Sequence, residues 1–191
     1  MTVQSLFATP LIVEKLDVDL AELKAIILQK QSEDAGIIVS NFGGWHSDYK
    51  FFEWGGEPAR AIGGHAAKLA SAHTDSNESV TNWGVEAWAN VMDAGAVHAV
   101  HAHPGNFWSA VFYVEADGEG GEFVLHDPRM PGLAMHAPKL KLKGHAPEQA
   151  AKIVPKPGTL LMFPAWLNHS VLPWRGPGRR ISIAINLAAR G

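Results

Sequence analysis

Cysteine is absent from this chain of 191 residues. Disulfide frameworks, zinc knuckles and iron–sulfur clusters are therefore excluded, because each needs thiol sulfur. No run approaches the roughly 18 apolar residues of a membrane-crossing helix. The N-terminus also lacks the basic stretch and apolar segment of a secretory leader. Charge of one sign is scarce too, with 16 basic against 19 acidic residues and a formal net charge of −3. Without a basic block, nothing calls for nucleic acid or an anionic membrane surface. Internal repeats and low-complexity segments are missing as well. What remains is an ordinary globular chain, expected to be soluble in a reducing cytoplasm. Its length suits one domain over 1–191 that buries about 70% of its unfolded surface.

Helical spacing is confined to the first half. Residues 6–14 read as short and extended. Leu20, Leu23, Ile26 and Ile27 recur at helical intervals from about Val18 to Lys30. Asp19 and Glu22 near the start suit the helix macrodipole. A second helix is expected from Glu57 to Ala72, broken or bent at Gly63-Gly64. Val85 to Val91, flanked by Trp83 and containing Trp88, suits a helix or a strand, and strand is preferred because it leads into a histidine cluster. Beyond it short strands alternate with Gly/Pro turns, the pattern of a sandwich or barrel. The division expected is a helical part over about 1–80 and a β-rich core over about 81–191. Met130 to Pro155 reads as a long irregular connection whose Lys139–Lys143 patch is solvated.

The chemistry concentrates in His98-Ala-Val-His101-Ala-His103-Pro104, just before the strand-like run Phe107 to Val114. In an extended chain His101 and His103 leave the same face with Cα atoms about 6.6–7 Å apart. Both rings then reach one ion at roughly 2.0–2.2 Å. Imidazole suits iron, zinc, nickel and copper alike, so the pair alone selects no metal. His98, three before His101, faces the other side of a regular strand and stays outside the set. Farther on, Pro157 to Val171 reads as a turn, a buried strand, a second turn and an extended segment opened by His169. Arg179 to Leu187 then alternates as a half-buried strand, with Arg180 and Ser182 on one face and Arg179 on the other. A guanidinium fork beside a hydroxyl suits a carboxylate. The order is His-x-His, long gap, His, short gap, Arg-x-Ser.

That order resembles the 2-oxoglutarate- and Fe(II)-dependent oxygenases, which carry a His-x-Asp pair, a distal His and an Arg-x-Ser. The similarity is greatest to a bacterial and phage branch of that family whose substrates are mostly unassigned. The matching segments are Leu6-Phe7-Ala8-Thr9-Pro10, Ser40-Asn41-Phe42-Gly43-Gly44-Trp45-His46-Ser47, His101-Ala102-His103-Pro104, Asp127-Pro128-Arg129 and Phe163-Pro164-Ala165-Trp166-Leu167-Asn168-His169. They keep the family's order over nearly the whole chain. The resemblance implies a mainly β fold, a double-stranded β-helix (jelly roll) with N-terminal helices packed on it. It further implies an oxidoreductase with Fe(II) and 2-oxoglutarate as cofactors, releasing succinate and CO2 as it hydroxylates a substrate. The substrate, a small molecule or a protein, is not readable from the residues.

One departure matters chemically. His103 stands where the family's carboxylate is usual, so three neutral imidazoles would leave a ferrous ion at +2 rather than +1. Two ligand sets follow: His101, His103 and His169, or two of these with Glu122 or Asp127. Glu122 follows an expected hairpin loop at Ala116 to Gly120 and reads more readily as a polar strand position than as a ligand. Asp127, held extended by Pro128, reads equally as a turn cap with Arg129 as partner. The three-histidine set is preferred. The resemblance also points Arg180 and Ser182 at the far carboxylate of 2-oxoglutarate, with Tyr113 either joining them or standing as a core aromatic with its hydroxyl at an edge. Trp45 and Asn41, in the glycine-rich loop, are candidates for substrate contact or for a structural turn with one buried indole. Trp108, Trp166 and Trp174 are expected in the core or at its rim. His46, His65, His73, His126, His136 and His145 carry no spacing signal and are expected at the surface. Two other functions fit the same residues: a three-histidine dioxygenase without 2-oxoglutarate, and a non-enzymatic jelly roll holding a structural metal. Nothing fixes the oligomeric state, for which a homodimer is the commonest default.

Overall fold

A computed structural model describes residues 6–75, 82–129 and 150–190. The lysine patch at 139–143, His136 and His145 lie outside the described residues, as does most of the connection expected from Met130 to Pro155.

Helix α1 (Leu20–Glu33) starts where the acidic pair predicts. Asp19 is its N-cap and accepts the amide of Glu22 at 2.9 Å, satisfying one of the donors that a helix start leaves open. A single turn, α2 (Phe51–Trp54), leads into α3 (Gly56–Ala72). The break expected at Gly63-Gly64 is absent, and α3 runs through both glycines. A Cβ on Gly63 would sit 2.6 Å from the Phe52 ring, so glycine serves close packing of α2 on α3, not bending.

Two antiparallel sheets carry the rest. The larger runs in the order β1 (Ile12–Lys15), β9 (Thr159–Pro164), β6 (Trp108–Glu115), β11 (Arg180–Arg190), β4 (Asn82–Met92) and β3 (Trp45–His46). The smaller runs β2 (Asn41–Phe42), β5 (Val97–His101), β10 (His169–Val171), β7 (Phe123–His126) and β8 (Ala150–Ile153). From β4 onward the chain passes from sheet to sheet, pausing only at the β7–β8 pair, and so winds the expected jelly roll. The first eighty residues contribute three short strands as well as the helices. No described helix is long and apolar enough to cross a membrane.

Strand β11 is not half-buried as its alternation suggests. Ile181, Ile183, Ile185 and Leu187 are fully buried on the face that meets Leu23, Ile27, Ile62 and Ala66 of the helices. Its polar alternates Ser182 and Asn186 are buried too, on the face turned to the smaller sheet. Both faces are covered, so polarity here marks an interior site and not solvent. The segment after β6 is likewise not a hairpin, because β6 and β7 belong to different sheets. It is tied instead to the β10–β11 connection: Gly121 N donates to Pro173 O at 3.1 Å and Arg175 N to Glu119 O at 2.8 Å. Trp108 and Trp174 are core residues, whereas Trp166 is largely exposed.

Candidate functional site

The three expected histidines converge at one end of the sandwich. His169 opens β10 opposite His101, the last residue of β5, in direct register. His103 follows in the turn, where its amide donates to Ala165 O at 2.9 Å and ties the turn to the β9–β10 corner. Ligand-capable atoms of His101, His103 and His169 all lie within 4.8 Å of one another. No other such group of His, Asp or Glu occurs among the described residues. Neither Glu122 nor Asp127 joins it: Asp127 accepts the guanidinium of Arg129 at 2.8 and 2.5 Å and its amide at 2.9 Å. That is the turn-capping arrangement.

Backbone carbonyls prepare two of the rings. His101 Nδ1 donates to Ala99 O at 2.7 Å and His169 Nδ1 to Leu167 O at 2.9 Å. A carbonyl only accepts, so the proton sits on Nδ1 and Nε2 is left as the free lone pair, as a metal ligand requires. Burial holds the imidazoles neutral, lowering His103 to about 4 and His169 to about 3, with the neighbouring His101 adding to both shifts. His101 is shifted down by the same cause.

Two cavities meet at this cluster. The outer is a cleft of about 500 Å³. The inner, between the sheets, is a narrow space of about 40 Å³. His101, His103, Ser40 and Trp88 border both.

The inner cavity is polar on its larger-sheet side. Ser182 pairs with Asn90 on one flank and Tyr113 on the other, so the three form a row across the sheet. Arg180, 1% exposed, lies beside this row. Its Nε donates to Gly121 O at 3.0 Å and its Nη1 to Ser182 Oγ at 3.2 Å. A Cβ on Gly121 would stand 2.7 Å from Arg180 Cδ, so only glycine leaves the guanidinium its place. Among the described residues Arg180 Nη2, Tyr113 OH and Asn90 Oδ1 are buried without any hydrogen-bond partner. Burial raises Tyr113 to about 12, so its phenol keeps its proton. The guanidinium carbon lies 5.1 Å from the Tyr113 ring centre. A buried cation with no carboxylate partner and two idle donors is expensive, at about 1–3 kcal/mol per unsatisfied group. The donor set therefore fits a carboxylate-bearing ligand.

The outer cleft has an aromatic wall. His46 stacks on Trp88 with ring centres 5.5 Å apart, and Tyr49 meets Trp88 edge-on at 5.3 Å. Val39, Phe42 and Glu86 are also at the wall. The glycine-rich loop thus borders the cleft, but Trp45 and Asn41 do not. Trp45 is buried in the helical core and donates to Asp34 O at 2.9 Å, while Asn41 Oδ1 accepts the amide of Val39 at 2.9 Å. His46, expected at the surface, is 2% exposed. Asn90, His46 and Tyr49 were not anticipated. The alternation Glu86, Trp88, Asn90 along β4 is the signal that marks one cavity-facing row.

His98 is the largest departure. Its pairing with Val171, while His101 pairs with His169, puts two β5 residues, Ala99 and Val100, opposite the single Ser170 of β10. This bulge reverses the alternation, and His98 lines the inner cavity with His101, Arg180 and Ser182.

A family model described as "Putative 2OG-Fe(II) oxygenase" matches residues 86–186, more than half of the chain. No curated protein sequence matches. Among solved structures, a prolyl-4-hydroxylase from Pseudomonas putida is 17% identical, with 95% of this chain and 93% of that one covered and a TM-score of 0.62. A prolyl hydroxylase from Trichoplax adhaerens, in complex with a hypoxia inducible factor peptide, is 15% identical over 94% and 83%, with a TM-score of 0.65. HygX from Streptomyces hygroscopicus, with nickel and 2-oxoglutarate bound, is 13% identical over 95% and 83%, with a TM-score of 0.61. At these identities the likeness is one of fold.

Proposed function

Because the chain belongs to the family of 2OG-Fe(II) oxygenases, we propose that His101, His103 and His169 hold the ferrous ion and that Arg180, Ser182 and Tyr113 anchor 2-oxoglutarate. The observation that carries this reading is the pair of idle donors, Arg180 Nη2 and Tyr113 OH, buried beside the cavity that the histidines border. Bound there, Fe(II) and 2-oxoglutarate would with dioxygen supply an oxidative decarboxylation to succinate and CO2, one oxygen atom of the dioxygen entering succinate and the other the substrate as a hydroxyl.

The chain's part is geometry. The Arg180 fork takes the far carboxylate, braced by Gly121 O and Ser182 Oγ so that little is lost in ordering it. Tyr113, protonated, adds a second donor. Ala99 and Leu167 carbonyls hold two imidazoles with Nε2 free. Trp88 walls both cavities, so the cosubstrate lies inside and the substrate outside, with the histidines between. The 500 Å³ cleft suits a small molecule or one residue of an exposed protein segment. A cysteine-free chain suits the reducing cytoplasm, where we place it.

Anaerobic titration of the metal-free protein with Fe(II) and then 2-oxoglutarate, followed by visible absorption, tests the assignment. A charge-transfer band that needs both additions and is absent in His169→Ala is expected. Iron binding with no 2-oxoglutarate-dependent band would point instead to a dioxygenase whose substrate chelates the metal directly.

A further inference from the structure

His98 enters the inner cavity because β5 bulges against β10. Among the described residues no hydrogen bond engages either of its ring nitrogens, whereas His101 and His169 are each tied to a backbone carbonyl. Burial, then the Arg180 guanidinium, then His101 disfavour its charged form, holding it at about 3. At neutral pH it therefore presents one N–H donor and one lone pair to the cavity. It cannot serve as a counter-ion for Arg180.

We propose that His98 is a positioning residue for 2-oxoglutarate, its free imidazole hydrogen-bonding the keto-acid end while Arg180 holds the far carboxylate. The inference rests on the reading of the inner cavity given above. The keto-acid end is favoured because the far end is already supplied by Arg180 Nη2, Tyr113 OH and Ser182, all on the larger sheet. His98 belongs to the smaller sheet, on the same strand as His101 and paired to the strand of His169. A three-imidazole site brings no anionic ligand of its own, so the keto acid carries the negative charge at the metal. A neutral donor beside it selects one orientation without competing for the ion.

The test is binding to Mn(II)-loaded full-length protein without oxygen, read by calorimetry and tryptophan fluorescence, in wild type, His98→Ala and His98→Gln. In His98→Ala, 2-oxoglutarate binding should weaken about tenfold, the low end for a hydrogen bond to a charged group. His98→Gln, which keeps a donor, should recover most of that loss. Mn(II) affinity should stay within about twofold, as expected of a residue that is not a ligand. Succinate, which has carboxylates but no keto acid, should bind all three proteins alike. Unchanged 2-oxoglutarate affinity in folded His98→Ala would overturn the inference, as would an equal loss for succinate. Should His98→Ala fail to fold, His98→Phe, which keeps a ring but neither nitrogen, decides in its place: 2-oxoglutarate affinity unchanged from wild type, or an equal loss for succinate, refutes the role. A wild-type protein that takes Mn(II) but no 2-oxoglutarate would remove the cavity reading itself and this inference with it. Arg180→Lys separates the two, since it should weaken 2-oxoglutarate and succinate together.

Discussion

The two sheets of this jelly roll face the same cavity and are built in opposite ways. β4 and β11 of the larger sheet pair without interruption over eleven residues. Helices cover its outer face, and its isoleucines are fully buried. The smaller sheet has strands of two to five residues, a bulge between β5 and β10, and half-exposed histidines. Rigidity and chemistry are thereby divided. The larger sheet holds Arg180 and Ser182 on β11 and Tyr113 on β6, two strands each paired on both sides. The smaller sheet carries His98, His101 and His169 on short strands. On the function proposed above, a cosubstrate that bridges the cavity would meet one sheet at each end.

The sharpest way to break this division is to injure each sheet in turn. Phe112, fully buried between β6 and α1 in the helical core, should cost about 3–5 kcal/mol when cut to alanine. His101→Ala, in the half-exposed strand, should abolish tight metal binding with little change in the melting of the metal-free protein. Thermal unfolding and metal titration of both variants decide it. If His101→Ala melts as low as Phe112→Ala, the smaller sheet is part of the scaffold after all.

A smaller effect separates function from stability within the larger sheet. Arg180 is a buried cation without a counter-ion, so removing it need not weaken the cofactor-free fold. Arg180→Met should leave the melting temperature unchanged or raised, while 2-oxoglutarate affinity falls by the ~1.5–3 kcal/mol of a charge-assisted bond. Parallel melting curves and calorimetric titrations check both. A marked loss of stability would mean that the guanidinium's bonds to Gly121 O and Ser182 Oγ matter more than its unpaired charge.

The same division explains what could be read in the chain before folding. Arg180 and Ser182 were legible because they stand two apart on one strand, and His101 and His103 because two apart still brings both rings to the end of β5, although His103 lies in the turn beyond it. His169 was legible from its order alone. His98 was not, since one extra residue in β5 inverts the face of everything before it. The burial of β11 escaped as well: alternation shows which residues share a face but not that a second sheet covers the polar one. The expected hairpin after β6 failed for a related reason, because glycines that suit a tight turn also suit a crossing between sheets. Gly63-Gly64 looked like a helix break when only the ring of Phe52, eleven residues earlier, gives the first of them its purpose. In each case a partner distant in sequence or in space overrode the local signal.

The smallest expected effect is on acid stability, and it falls on the smaller sheet and its rim. His98 and His169 are held at about 3 and His103 at about 4, against 6.5 for a free imidazole, all by burial first. Between those values and 6.5 the unfolded chain binds protons that the folded chain refuses. Stability therefore rises with pH in this window, is complete above about 6.5, and is lost as pH falls towards 4. Melting of metal-free protein should drop by several degrees between pH 6.5 and 5.5, at ~2–4 °C for each kcal/mol in a chain of this size. His98→Gln takes one proton out of the balance and should make that slope shallower. Arg180→Met removes the second cause of the His98 shift but not the first, burial, and should change the slope little. If His98→Gln left the slope unaltered, His98 would not be kept neutral by the fold, and the acid sensitivity of the cavity would lie with His103 and His169.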